Sequence, residues 1–334
     1  MSVALPDRRR ALAAIALALL SALFFSLTYV LNRAMATDGG HWAWTASLRY
    51  LVTLPLLWPL MRWQGGSAPV LRAIRAHPGP WLGCSAIGFV LFYALLSFAA
   101  SSGPSWLVAG TFLFTVIAGM LCAPLIYSDE RRRIPRAAFA IGVLVFAGVL
   151  MMQLGHADGG LDAAGWFALA CLLVAAFAFP LGNRLLLLHL ERSGEDLNAT
   201  QRVYGMTLAS QPLWWALAAY AWWRAGLPPL SQLLLAAVVA LSAGVAAKIL
   251  FFQATGMVRD QPVALGAVEA MQGAELLFAT VFGVLLLHEA WPQGVARWGA
   301  GVVLCGIVGF AWLVARPQAR NPRAVRALRT DRGA

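Results

Sequence analysis

The run PVALGAVEAMQGAELLFATVFGVLLL, from Pro262 to Leu287, holds only two formal charges, Glu269 and Glu275, in a stretch of 26 residues. About 20 mostly apolar residues are enough for a helix to cross a hydrocarbon core of roughly 30 Å, so this stretch predicts a membrane span. Insertion scales put an Asp, Lys or Arg at a helix centre at roughly 2.5–3.5 kcal/mol, and charges inside a bilayer therefore face a cavity or a partner. The two acids mark where the chemistry of the chain should lie.

Working outward, similar runs recur along the whole chain. Predicted spans cover residues 11–31, 43–61, 81–100, 105–127, 137–154, 164–188, 203–223, 232–253, 262–287 and 296–315. With 60% hydrophobic and 12% charged residues against about 25% charged in a soluble domain, the 334-residue chain reads as an all-α integral membrane protein of ten transmembrane helices. Arg8, Arg9 and Arg10 before the first run, with Ala34-Met35-Ala36 after it, resemble a signal peptide, but the run is too long for a signal core. Cys84, Cys122, Cys171 and Cys305 all fall inside spans, with neither disulfide pairing nor metal-ligand spacing.

The net charge of +11 reports topology rather than nucleic-acid binding. With the N-terminus inside, twenty arginines fall on the inner side, among them Arg131, Arg184, Arg202, Arg259 and those after residue 315, while only Arg33, Arg224 and Arg297 fall outside. The positive-inside rule sets both termini in the cytoplasm. Trp42, Trp44, Trp63, Trp81, Trp166, Trp222, Trp223, Trp291, Trp298 and Trp312 near predicted helix ends read as interfacial anchors.

The two halves of the chain match in order. Asn32-Arg33 answers to Asn183-Arg184, Arg49 to Arg202, Pro104 to Pro262, Glu130 to Glu289 and Gly142 to Gly301. Five helices per half is an odd number, so the second half enters the membrane from the opposite side and the repeats are inverted. The predicted organisation is a cytoplasmic tail (1–10), a first five-helix repeat (11–154), an outer connecting loop (155–163), a second five-helix repeat (164–315) and an Arg-rich cytoplasmic tail (316–334). Many secondary transporters have this architecture, with a site near mid-bilayer between the halves.

Four charges lie well inside spans: Arg49, Lys248, Glu269 and Glu275; Lys248 is also the only lysine in the chain. Lys248 and Glu269 sit at matching depths on consecutive spans, roughly 8–10 Å from the inner boundary, which predicts an ion pair or a packing contact between them. Glu275 lies roughly 9 Å deeper. Burial disfavours the charged form of an unpaired carboxyl, so Glu275 can be neutral when dry and ionised when water or a cation reaches it. Glu269, Gln272 and Glu275 form one predicted polar stripe facing a cavity. Arg49, Tyr93, Trp214 and Trp215 are candidate cavity-lining residues, although Arg49 could instead snorkel outward and the aromatics could be packing. No HExxH, GxSxG or Walker loop occurs, and nothing points to an enzyme, a metal or a cofactor.

These residues resemble the ten-helix branch of the drug/metabolite transporter superfamily, and within it the multidrug resistance efflux transporters. The resemblance covers nearly the whole chain. Its most specific parts are WLVAGTFLFTVIAGMLCAPLI, from Trp106 to Ile126, and AVEAMQGAELLFATVFGVLLL, from Ala267 to Leu287. It implies an inner-membrane carrier of two five-helix bundles, peripheral fifth and tenth helices, and antiport of organic compounds against protons, with Glu269, Gln272 and Glu275 on the family's acidic motif. Leu113, where a polar residue is expected, and Lys248 depart from the pattern, and a cation beside Glu269 would favour anionic or zwitterionic substrates. The expected function is a proton-coupled exporter with Glu275 as principal carboxylate and Glu269 assisting. The alternative is an uncoupled metabolite facilitator or amino-acid-type exporter with structural acids. Expected partners are a small organic substrate, protons and the lipid bilayer, without nucleic acid; a homodimer stays open.

Overall fold

A computed structural model describes residues 7–102, 112, 114–134, 136–154, 163–287, 291 and 293–315. The end tails from residue 316 and before residue 7, most of the 155–163 loop, and Pro104, Leu113 and Glu289 lie outside them. Every regular element among the described residues is helical. In chain order these are α1 (Asp7–Thr37), α2 (Trp42–Trp63), α3 (Ala68–Ala76), α4 (Pro78–Ser85), α5 (Phe92–Ser102), α6 (Thr115–Ile126), α7 (Arg136–Leu154) and α8 (Ala163–Ser193). Then follow α9 (Ala199–Ala209), α10 (Gln211–Ala225), α11 (Leu230–Val239), α12 (Lys248–Met257), α13 (Pro262–Ala270), α14 (Ala274–Leu287) and α15 (Gly294–Ala315).

Two π-helical stretches, Ala86–Leu91 and Ala240–Ala247, join α4 to α5 and α11 to α12 without breaking the rod. They fall at the same place in the third and eighth predicted spans.

Among the described residues, seven helices are long and apolar enough to cross a membrane. They correspond to the first, third, fifth, sixth, eighth, ninth and tenth predicted spans. The other three differ for separate reasons. The second, α2, is 22 residues long but carries Arg49, Tyr50 and four tryptophans. The fourth is described only in part, as the short α6. The seventh is split: α9 starts on a capping box between Asn198 and Gln201 and stops at Ser210, because Pro212 opens α10. A proline there cannot continue the hydrogen-bond ladder of the preceding helix.

The packing is reciprocal. α1 lies against α12, α14 and the second π stretch, while α8 lies against α5, α6 and the first π stretch; α2 packs on α10, and α7 on α15. Glycines allow the closest crossings. Gly88 of the first π stretch meets Gly182 of α8, and Gly148 of α7 meets Gly299 of α15, backbone to backbone, where a Cβ would clash. At 31 residues each, α1 and α8 are about 46 Å long, longer than a hydrocarbon core, so each must tilt or project beyond it.

The two ends of the bundle differ in charge. One gathers Arg10 on Asp260 (2.8 Å) and Arg131 on Asp129 (2.7 Å) and Glu191 (2.8 Å), with Arg259 3.6 Å from Glu191. At the other, Trp44 Nε1 donates to the Gly226 carbonyl (2.9 Å) and Gln232 to that of His41 (3.1 Å). Loops expected on the inner side thus share the arginine-rich end. Most of the anchoring tryptophans are exposed, but Trp44 and Trp81 are buried. Trp81 packs against Gly205 of α9, where a side chain would collide with its ring, so these two tryptophans serve packing instead.

Candidate functional site

The two acids of the opening run sit on different faces of one helix rod. A 3-10 turn at Met271–Gly273 separates α13 from α14 and tightens the backbone toward three residues per turn. Gln272 and Glu275 line a narrow central cavity between α1, α2, α5 and α8, together with Tyr29, Arg49 and Tyr93. Glu269 is not among its lining residues. It faces α6, where Gly119 leaves the space its carboxylate fills. The single stripe expected from helical spacing is therefore divided between two sites.

Within the cavity, Glu275 Oε2 accepts a hydrogen bond from the Tyr29 hydroxyl at 2.8 Å, and Oε1 has no hydrogen-bond partner. Arg49 is buried rather than snorkelling. Its guanidinium carbon lies 4.1 Å from the Tyr93 ring centroid, and its Nε and Nη2 lack hydrogen-bond partners. Tyr93 is steadied in turn by the Asn32 amide at 3.2 Å from its hydroxyl. Phe25, Phe92, Phe112 and Phe179 complete the wall. An arginine and a carboxyl group thus share one apolar chamber, where electrostatic interactions are stronger than in water.

Lys248 does not meet Glu269. Its ammonium donates to the Tyr50 hydroxyl at 2.5 Å and lies 3.5 Å over the centroid of Phe89. Tyr50 also stacks on Trp214, centroids 4.3 Å apart and rings 10° from parallel, and adjoins Tyr93 at 5.7 Å. Lys248 and Trp214 therefore form a layer behind the chamber wall. Trp215, offered as a lining residue, is 63% exposed on the outer face of α10, one residue round from buried Trp214.

Glu269 is taken by Arg184 of α8 instead. Arg184 Nε and Nη2 reach Oε1 at 3.0 Å and Oε2 at 2.6 Å, a bidentate pair with both side chains at most 3% exposed. Arg184 also lines a second, narrow cavity at the arginine-rich end, with Tyr127, Arg131, Arg133 and Arg259. On the rim, hydrogen bonds from Arg131 hold the Asp129 carboxyl below its ordinary range.

Sequence reasoning missed Arg184 and Tyr29 as site residues. Ending the sixth span at residue 188 leaves Arg184 near an interface, whereas α8 continues to Ser193 and carries it about 13 Å inside the helix. Its match with Arg33 in the repeat was the available signal. Tyr29 gave none, since a tyrosine within an apolar run is ordinary packing until its partner is known.

An arginine and a glutamate within an apolar chamber, among helices long enough to cross a membrane, fit a membrane transporter rather than an enzyme. A family model described as "EmrE: Putative multidrug resistance efflux transporter" matches residues 12–316, and the chain belongs to that family. Similar proteins include "Uncharacterized protein YjlA" of Bacillus subtilis (strain 168), 41% identical over 304 residues, covering 88% of this chain and 93% of the relative. Another, from Shouchella clausii, is the "Uncharacterized 42.1 kDa protein in intracellular alkaline protease 3'region", 39% identical over 279 residues, 82% of this chain and 73% of that protein. A solved crystal structure superposes with a TM-score of 0.68 at 16% identity, covering 91% of this chain and 99% of its own, a likeness of fold alone.

Proposed function

We propose that the chain is a bacterial inner-membrane secondary transporter of two inverted five-helix repeats, exporting small organic molecules by alternating access in exchange for protons. Glu275 is the carboxylate that holds proton or substrate. The observation carrying this reading is the Glu275 side chain itself, buried in the central chamber with one oxygen held by Tyr29 and the other unpartnered. A carboxyl so placed can release a proton as substrate arrives and regain it when the chamber opens to the opposite side.

The architecture supports the same reading. Contacts of α1 with the eighth and ninth spans are mirrored by those of α8 with the third and fourth, and the π stretches recur in both halves, as an axis in the membrane plane requires. The arginine-rich end is the cytoplasmic one on the positive-inside rule, so both termini are cytoplasmic. Glu269, engaged on both oxygens by Arg184, holds α13 to α8 and leaves Glu275 as the carboxyl of the chamber.

In proteoliposomes carrying a pH gradient, Glu275→Gln should insert and fold normally yet lose gradient-driven transport, and the purified variant should release no proton on substrate addition. Glu275→Asp should retain part of the activity with a shifted pH optimum. Uphill transport by Glu275→Gln at the wild-type rate would refute the assignment and favour uncoupled facilitation.

A further inference from the structure

A groove of about 1030 Å³ lies between α1, α14 and α15 and is reached by Met152 of α7. It is left open because α15 packs mainly on α7 and touches α14 at few places. Along α15 the groove extends from Gly294 to Ile307, thirteen residues or about 20 Å. That is more than the roughly 15 Å of hydrocarbon in one leaflet of a bilayer. Its lining is nearly all apolar, and the polar groups gather at one end. The Thr280 hydroxyl donates to the Leu276 carbonyl at 2.8 Å and is satisfied within α14. Gln293 and Arg297 remain, both exposed, where α15 begins. This end is opposite the arginine-rich one, since the rod of α13 and α14 starts beside Asp260 and runs away from it. Exposed Trp291 and Trp298 stand at the same end, and indole rings gather where hydrocarbon meets headgroups. Arg297 has no acidic partner among the described residues.

We propose that this groove is a binding site for one anionic glycerophospholipid, with an acyl chain laid along α14 and α15 and the phosphate on Arg297 and Gln293. A guanidinium meets two phosphate oxygens with parallel N–H donors, and the Gln293 amide can donate a further hydrogen bond beside it. The apolar length below is long enough for the chain of a lipid whose headgroup sits at that boundary. An amphipathic cation would set its charge against Arg297, and a neutral diacylglycerol would leave the guanidinium without an anion. A zwitterionic lipid would supply the phosphate but bring a second cation next to Arg297. Ala274, Leu277 and Phe278 line the groove and flank Glu275 on the same helix, so the lipid rests on the back of the element that carries the chamber carboxyl. The site does not depend on what the chamber carries or on proton coupling.

The test uses the full-length purified protein, stripped of lipid in detergent and then given phosphatidylglycerol, phosphatidylcholine, diacylglycerol or glycerol phosphate. Native mass spectrometry and thermal stabilisation read the result. Each chain should retain one phosphatidylglycerol, half-saturating at a concentration about tenfold below that of phosphatidylcholine or diacylglycerol, while glycerol phosphate, a headgroup without chains, should not stabilise. Arg297→Gln should bring the two phospholipids within about twofold of each other, and Arg297→Lys should keep part of the preference. Arg224→Gln, which removes another exposed arginine at the same end, should leave the preference unchanged. The wild-type series decides by itself if a variant fails to fold. Equal retention of phosphatidylcholine, a preference that survives Arg297→Gln, an equal loss in Arg224→Gln, stabilisation by glycerol phosphate alone, or a dimer whose formation expels phosphatidylglycerol overturns the proposal.

Discussion

Arg184 and Glu269 are joined by two hydrogen bonds in a region closed to water, so removing one partner strands a buried charge. Each of Arg184→Met and Glu269→Gln should therefore cost about 3–5 kcal/mol, with the double variant well above the sum of its parents in stability. Unfolding in detergent would measure this, and additive losses would mean that the pair is not formed. Lys248→Met and Glu269→Gln should instead add to within about 0.5 kcal/mol, because Lys248 rests on Tyr50 and Phe89. A coupling much above that figure would restore the pairing expected from matched depths. That Lys248, Glu269 and Glu275 are buried was legible in the sequence, because an ionisable group stands out in an apolar run. Partner choice was not, since it depends on which way each rod is turned and which neighbours it meets: Glu269 faces Gly119 and Arg184, and Glu275 faces Tyr29.

Helix crossings set a second group of expectations. A Cβ at Gly182 would run into the backbone of Gly88, whereas one at Gly301 would meet nothing within 4 Å. Gly182→Ala should destabilise by about 1–3 kcal/mol by forcing α8 off the first π stretch. Gly301→Ala should be neutral or stabilising by up to about 1 kcal/mol, because alanine restricts the unfolded chain more than glycine does. Equal thermal shifts for the two would show that α8 does not approach Gly88 so closely. At this scale the sequence reported hydrophobic extent well and helix ends poorly. Hydropathy followed α7 and α15 nearly to their ends, yet it passed over the break at Ser210 and ended the sixth span five residues before α8 ends at Ser193. Both errors arise where polar residues remain helical or where a proline interrupts an apolar run.

Across the whole molecule, the count of crossings can be checked in the loop between α10 and α11. With ten spans, a reporter fused after Gly194 lies in the cytoplasm and one after Gly226 in the periplasm, whereas with only the seven long apolar helices crossing, both lie on one side. Alkaline phosphatase activity at Gly226 and its absence at Gly194 is the expected result; matching signals would end the ten-helix arrangement. The two π stretches carry a consequence for how such a chain tolerates insertion and deletion. Each accommodates about one residue more than an α-helix of the same span, and one residue turns every later side chain by about 100°. Beyond the first lies Tyr93 and beyond the second Lys248, the two residues on which the Arg49 side of the chamber leans. Losing a single codon within Ala86–Leu91 or Ala240–Ala247 would leave a helix of unblemished composition that presents the wrong face to the chamber. In these two short stretches the chain should tolerate exchange of letters far more readily than a change in their number.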